Sequence, residues 1–345
     1  MKQKKSFILG CVVLLCGGLL SACGINYDQV GKDLNGEKQP AQEAKKEEGK
    51  EESKENKEAI TNGTEIYLID KHGYVVPQTV AIPKEKATVD QVLQYLVEDG
   101  PVANVLPNGF RAVLPAGTEM KVKVEKEVAT IDFNPEFQKY KAEDEAKILQ
   151  AVTWTLTQFE NVKKVKFQVN GSNLAVMPVA KSPIGDGLTR ANGINFDYSN
   201  TTDVMNTRPV VVYFLSENAG GVYYVPVTRR APIDGTDMLT AAVNELIKGE
   251  DVQSELVSDL EEDVKLLGAP QLKDGVVTLN FNENITSKGK ISEHTLKSLV
   301  LSLTEQKDVK KVVVQVNGKT DVLDDKGEKI TEPVSRPQKV NTGSY

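Results

Sequence analysis

From residue 64 onward, short β-branched and aromatic runs alternate with longer stretches in which apolar residues recur every three or four positions. Runs at 65–70 and 74–82 predict a strand pair, as do 209–216 and 222–229. Helical spacing follows at 88–98 and 237–248, with Thr88 and Thr236 as N-caps and Gly100 and Gly249 as stops. Two more strands come next in each half, 120–126 with 128–133 and 263–267 with 275–281. A longer helix is predicted over 143–159 and 292–306, then a last strand over 162–169 and 309–316. Asn170-Gly171 and Asn317-Gly318 close these strands as tight turns. Strands grouped in pairs around two helices predict the α+β class, with both helices packed on one face of a mixed sheet in each domain.

The pattern occurs twice because the sequence does. Val162-Lys-Lys-Val-Lys-Phe-Gln-Val-Asn-Gly171 aligns with Val309-Lys-Lys-Val-Val-Val-Gln-Val-Asn-Gly318 at eight of ten positions, an offset of 147. Ala129-Thr-Ile-Asp-Phe-Asn134 meets Val277-Thr-Leu-Asn-Phe-Asn282 at 148, and Glu65-Ile-Tyr-Leu68 meets Val211-Val-Tyr-Phe214 at 146. A period this long is a duplicated domain, not a solenoid. The domains expected are 63–180 and 209–325, joined by a linker over 181–208 that docks in part and followed by a polar tail over 326–345.

The N-terminal pattern is different. Lys2, Lys4 and Lys5 precede an apolar run from Phe7 to Leu20, which is short for a membrane span of about 20 residues and reads as an export signal over 1–22. It ends in Leu20-Ser21-Ala22-Cys23, which resembles the bacterial lipobox. The resemblance implies a diacylglycerol and a further acyl chain such as palmitate on Cys23. Two chains hold a protein stably where one binds marginally. Residues 23–62 follow as a tether rich in Glu, Lys and Gln, without the apolar surface to offset chain entropy. The expected location is the outer face of the cytoplasmic membrane.

Composition removes several chemistries. The 345 residues contain three cysteines, none after Cys23, and two histidines, His72 and His294, so neither a disulfide framework nor a cysteine metal cluster is available. The formal charge of −7 becomes −10 once Lys2, Lys4 and Lys5 leave with residues 1–22, which hold no acid. Nucleic acid is a poor partner for such a chain. Asp132 and Glu136 could serve as an acid/base pair. Asn280 replaces Asp132 in the second copy, however, which points to a turn-forming role. His72 falls in a polar turn and His294 in the first turn of a helix; they are not equivalent. No nucleophile elbow, Walker loop or dinucleotide fingerprint is present. No catalytic residue, metal or cofactor is expected.

One helix position stands out. With Ile148 at 0°, Leu149, Val152, Leu156 and Phe159 form a core stripe, while Trp154 falls at about 240°, on the face that should be solvated. Leu301 takes the same place in the second copy. Either the pair covers surface within the chain or it anchors a partner, as aromatic residues do at interfaces; Trp154 and Leu301 are therefore the candidate partner-binding residues. The Lys163, Lys164, Lys310 and Lys311 pairs read as solvated strand-edge lysines.

The lipobox, the charged tether and the tandem copies, with Tyr67 and Tyr213 in their first strands and Gln-Val-Asn-Gly at their ends, resemble the GerM family of sporulation and germination lipoproteins. These carry two GerMN domains similar to ring-building motifs. The resemblance implies a non-enzymatic scaffold between mother cell and forespore membranes, with the ring and dock proteins of the channel complex as partners. A second reading is an envelope module that binds peptidoglycan or a peptide, with the loop at 100–118 as its wall; a cell-wall enzyme is a third.

Overall fold

The computed structural model describes residues 63–82, 87–199, 203–251 and 253–342; the leader, Cys23 and the tether lie outside them. The first copy opens with an antiparallel hairpin, β1 (Thr64–Ile69) and β2 (Val75–Val80). Helix α1 (Val89–Gln94) starts at Thr88, whose side chain forms a capping box with Gln91. It is shorter than the pattern predicts, because Val97 leaves the helix to bridge Leu114. A mixed sheet follows: β3 (Met120–Glu125) runs antiparallel to β4 (Val128–Phe133), and β4 parallel to β5 (Lys164–Val169). Helix α2 (Glu145–Leu156) makes the crossover that a parallel pair requires. Asn170 and Gly171, at φ 47° and 74°, turn the chain into the short β6 (Ser172–Asn173).

The second copy repeats this plan with longer hairpin strands, β7 (Thr207–Asn218) and β8 (Gly221–Pro232). Helix α3 (Met238–Ile247) is capped by Asp237, which accepts from the Leu239 and Thr240 N–H groups, and not by the neighbouring Thr236. The strand expected at 263–267 is instead β9 (Gln271–Lys273). Only the single bridge Leu266–Phe281 remains of it, because Gly268-Ala269-Pro270 interrupts the edge. β10 (Val276–Phe281), α4 (Glu293–Thr304) and β11 (Lys311–Val316) rebuild the parallel crossover, and β12 (Val334–Ser335) lies beside β11.

Both long helices touch two layers. α2 packs on the hairpin through β1 and on the mixed sheet through β5, and α4 does the same with β7 and β11. Helix hydroxyls make the first of these contacts specific: Tyr67 N–H donates to Thr155 Oγ1 at 3.0 Å, and Tyr213 N–H to Ser302 Oγ at 2.8 Å.

Glu145, fully buried at the start of α2, pins the segment after β6. Its carboxylate accepts from the Val179, Ala180 and Ser182 N–H groups at 3.1, 2.7 and 2.8 Å and from Tyr140 Oη at 2.7 Å. Burial alone would raise its pKa, but these donors outweigh it and hold the carboxyl below the usual range. A group depressed in the folded state stabilises above its unfolded pKa of about 4.3 and loses that contribution as pH falls through the folded value. Glu145→Ala is expected to cost about 2–4 kcal/mol in urea denaturation at neutral pH. The gap from wild type should narrow on acidification below about pH 4; a gap that stays constant with pH would refute the assignment.

Candidate functional site

The residues that join the two copies lie in stretches whose composition suggests a linker and a tail. Beyond β6 the chain runs along the hairpin of the second copy: Thr228 N–H donates to Ile194 O at 2.9 Å and Asp197 N–H to Thr228 O at 3.0 Å. Beyond β12 it returns to the first hairpin, where Thr79 N–H donates to Asn341 O at 2.9 Å. Residues 326–342 are thus a docked arm with Val340 buried, rather than a free polar end.

An asparagine seats each arm. Asn195 Oδ1 accepts from Val75 N–H at 2.8 Å, while Nδ2 donates to Val75 O and Pro226 O, both at 2.7 Å. Asn341 Oδ1 accepts from Tyr224 N–H at 2.8 Å, and its Nδ2 donates to Tyr224 O at 2.9 Å and Pro77 O at 2.7 Å. Pro77 pairs with Tyr67 in one hairpin and Pro226 with Tyr213 in the other. The two sets of bonds are therefore the same set with the copies exchanged, a local two-fold relation within one chain. A primary amide has two donors and one acceptor oxygen, so three backbone bonds leave little unused.

A cavity of about 530 Å³ opens beside this junction, where α2 and α4 end. Arg190 and Arg336, one from each arm, line it with Glu65 and Glu305. Arg190 Nη1 lies 2.7 Å from Glu305 Oε2, and Arg336 Nη1 lies 3.0 Å from Glu305 Oε1. Tyr213 Oη donates to the same carboxylate at 2.9 Å, and Glu65 contacts Arg336 at 3.7 Å. Burial pushes the Glu305 carboxyl up, but the two guanidinium groups and the Tyr213 hydroxyl bring it below the usual range. Each arginine also reaches a carbonyl in the last turn of its own copy's helix, Trp154 O or Leu301 O, both at 3.5 Å, where helix geometry favours a cation. The copies are not identical here: Gln158 stands where the second has Glu305, and Glu65 where the second has Val211. In the first copy the buried Tyr67 hydroxyl has no hydrogen-bond partner among the described residues.

Trp154 and Leu301 belong to this junction and offer no surface to a partner, which corrects the expectation of solvated anchors. Trp154 is 1% exposed and Leu301 0%. Trp154 lies 5.8 Å from the Tyr67 ring, donates Nε1–H to Gly193 O at 3.1 Å, and has the Arg190 guanidinium 4.3 Å from its ring. Leu301 packs among Tyr213, Leu215, Tyr224 and Val340. The helical wheel placed them correctly opposite the core stripe. It could not show that a hairpin and an arm cover that face.

The other candidates carry structural bonds. Asp132 accepts from Gly171 N–H at 2.8 Å and Asn280 from Gly318 N–H at 2.7 Å, one turn-closing contact in both copies. Glu136 pairs with Lys139. His72 donates its backbone N–H to the Asp70 carboxylate, and His294 Nδ1 lies 3.0 Å from Tyr224 Oη. Among the described residues no group of three His, Cys, Asp or Glu side chains is placed to hold a metal ion. The loop over 100–118 is closed against the second hairpin: Phe110 meets Tyr223 edge-on at 5.2 Å, and Asn218 Nδ2 donates to Asn108 O. It leaves a cavity of about 30 Å³, room for one water and not for a wall fragment.

Sequence reasoning passed over Arg190, Asn195, Arg336 and Asn341, although the signal was there. At an offset of 146, Arg190, Ile194 and Asn195 align with Arg336, Val340 and Asn341. Asn341→Ala is expected to cost about 2–3 kcal/mol by stranding Tyr224 and Pro77 backbone groups, and to speed amide exchange at Thr79. Asn195→Ala should do the same at Thr228, and unaltered exchange at both amides would count against the arms as the fastening.

Comparison with known proteins matches this architecture. A family model for sporulation and spore germination, Germane, matches residues 65–175 and 211–322. The spore germination protein GerM of Bacillus subtilis (strain 168) is 46% identical over 366 aligned positions, covering all of both chains. The solved tandem GerMN domains of the B. subtilis sporulation protein GerM superpose with a TM-score of 0.78 at 53% identity, covering 82% of this chain and 99% of that one. The chain belongs to the GerM family of sporulation and spore germination proteins.

Proposed function

We propose that this family member is a lipid-anchored, non-enzymatic scaffold of the sporulating cell envelope that helps assemble the channel complex between mother cell and forespore membranes. The observation that carries the reading is the reciprocal docking of the two arms, which makes one body of two domains through buried amides and ion pairs at their junction. A body of this kind suits a task of presenting fixed outer surfaces to other proteins. The partners proposed are ring and dock components of that complex. Among the described residues no helix is long and apolar enough to cross a membrane; the anchor proposed is the diacylglycerol-modified Cys23, on the outer face of the cytoplasmic membrane.

The non-enzymatic part rests on Asp132, a carboxylate the sequence offers for acid/base work, because its bond to Gly171 is reproduced by Asn280 and Gly318. Two variants in sporulating cells separate the alternatives. Cys23→Ala should move the chain from membrane to soluble fraction and lower spore yield, while Asp132→Asn should leave yield and thermal stability at wild-type values. Lost yield in a stably folded Asp132→Asn chain would overturn the scaffold in favour of catalysis, and retained membrane association of Cys23→Ala would overturn the anchor.

A further inference from the structure

Two exposed aromatic rings stand on the first arm and have no counterpart on the second. Phe196 and Tyr198, 39% and 56% exposed, stack with centroids 5.4 Å apart and planes 4° from parallel. The residues beside them are fastened: Asn195, at φ 45°, by the junction bonds, and Asp197 by an ion pair of 2.9 Å with the buried Arg229. Gly193, at φ 77°, makes room for the inner ring, since a Cβ there would come within 2.5 Å of Phe196 Cζ. The rings are therefore held in place before anything binds, which lowers the ordering cost of a complex. At the offset of 146, Phe196 corresponds to Thr342, so docking of an arm does not itself require an aromatic residue.

Beside the rings lies a hollow of about 240 Å³, bordered by Tyr74, Asp197, Asp251, Gln253 and Ser254. It is smaller than a drug-sized pocket and fits a single ring. An apolar side chain laid on Tyr198 would take the Asp251 carboxylate, the Gln253 amide and the Ser254 hydroxyl from water without replacing the bonds they make to it, which is costly. A pyranose matches both halves of the site: its C–H face stacks on the aromatic ring and its hydroxyls bond to the rim.

We propose that Tyr198, backed by Phe196 and flanked by Asp251, Gln253 and Ser254, forms a binding site for one pyranose unit of a polysaccharide chain. Tyr198 supplies the stacking face, and the polar rim orients the sugar hydroxyls. The site is independent of the scaffold reading and of the cavity at the junction.

The test is a chemical-shift titration of the chain from residue 24 onward with a tetrasaccharide of N-acetylglucosamine, taken into the millimolar range. Shifts are expected at Phe196, Tyr198, Gln253 and Ser254. Tyr198→Ala should weaken binding by roughly tenfold or more at unchanged melting temperature, whereas Tyr198→Trp, which keeps a stacking face, should retain it. Absence of shifts, shifts that map elsewhere, or binding indifferent to Tyr198→Ala would each overturn the proposal. So would a photo-crosslink from position 198 in sporulating cells that captures protein and no glycan.

Discussion

Two asparagine side chains hold the architecture together. A hairpin of two strands cannot stand alone in water, and each copy contains one. Each is completed by a helix from its own copy and an arm from the other, and the arm is seated by one amide that bonds three backbone groups. The proline carbonyls at Pro77 and Pro226 are free to meet an amide because they lie opposite Tyr67 and Tyr213, whose N–H groups point away to Thr155 and Ser302. The arms then position the rest of the junction: Arg190 and Arg336 arrive with them, Glu305 pairs with both, and Glu65 adds a second carboxylate beside Arg336.

This arrangement explains why the candidates chosen for chemistry turn out to be structural. Burying a carboxylate is tolerable only with donors around it, and Glu145 and Glu305 are each surrounded by several. The aromatic residue that looked solvated, Trp154, lies under an arginine and beside a tyrosine of the first hairpin. What remains outside is a set of rigid surfaces, of which the stacked Phe196 and Tyr198 are the most specifically built.

The duplication was kept without full symmetry. Thr155 and Ser302 do the same work on β1 and β7, and Asp132 and Asn280 close equivalent turns. Gln158 and Glu305, by contrast, divide the roles: the glutamine bonds the Glu65 backbone, and the glutamate gathers two arginines. The first copy supplies its carboxylate to the cavity from β1 instead, through Glu65 beside Arg336.

Local pattern determined the hairpins, the Thr88 cap, the Asn-Gly turns, the α+β class and the duplication, because each depends on residues close in sequence or on direct self-similarity. Asp132 could be recognised as a turn-former by comparing one copy with the other. Tertiary structure alone decided the fate of Trp154 and Leu301, the closure of the 100–118 loop and the docking of both arms. Those outcomes depend on what a distant segment lays across a surface: periodicity shows which side of α2 bears Trp154, but only the returning hairpin and the arm at Arg190 exclude water from it.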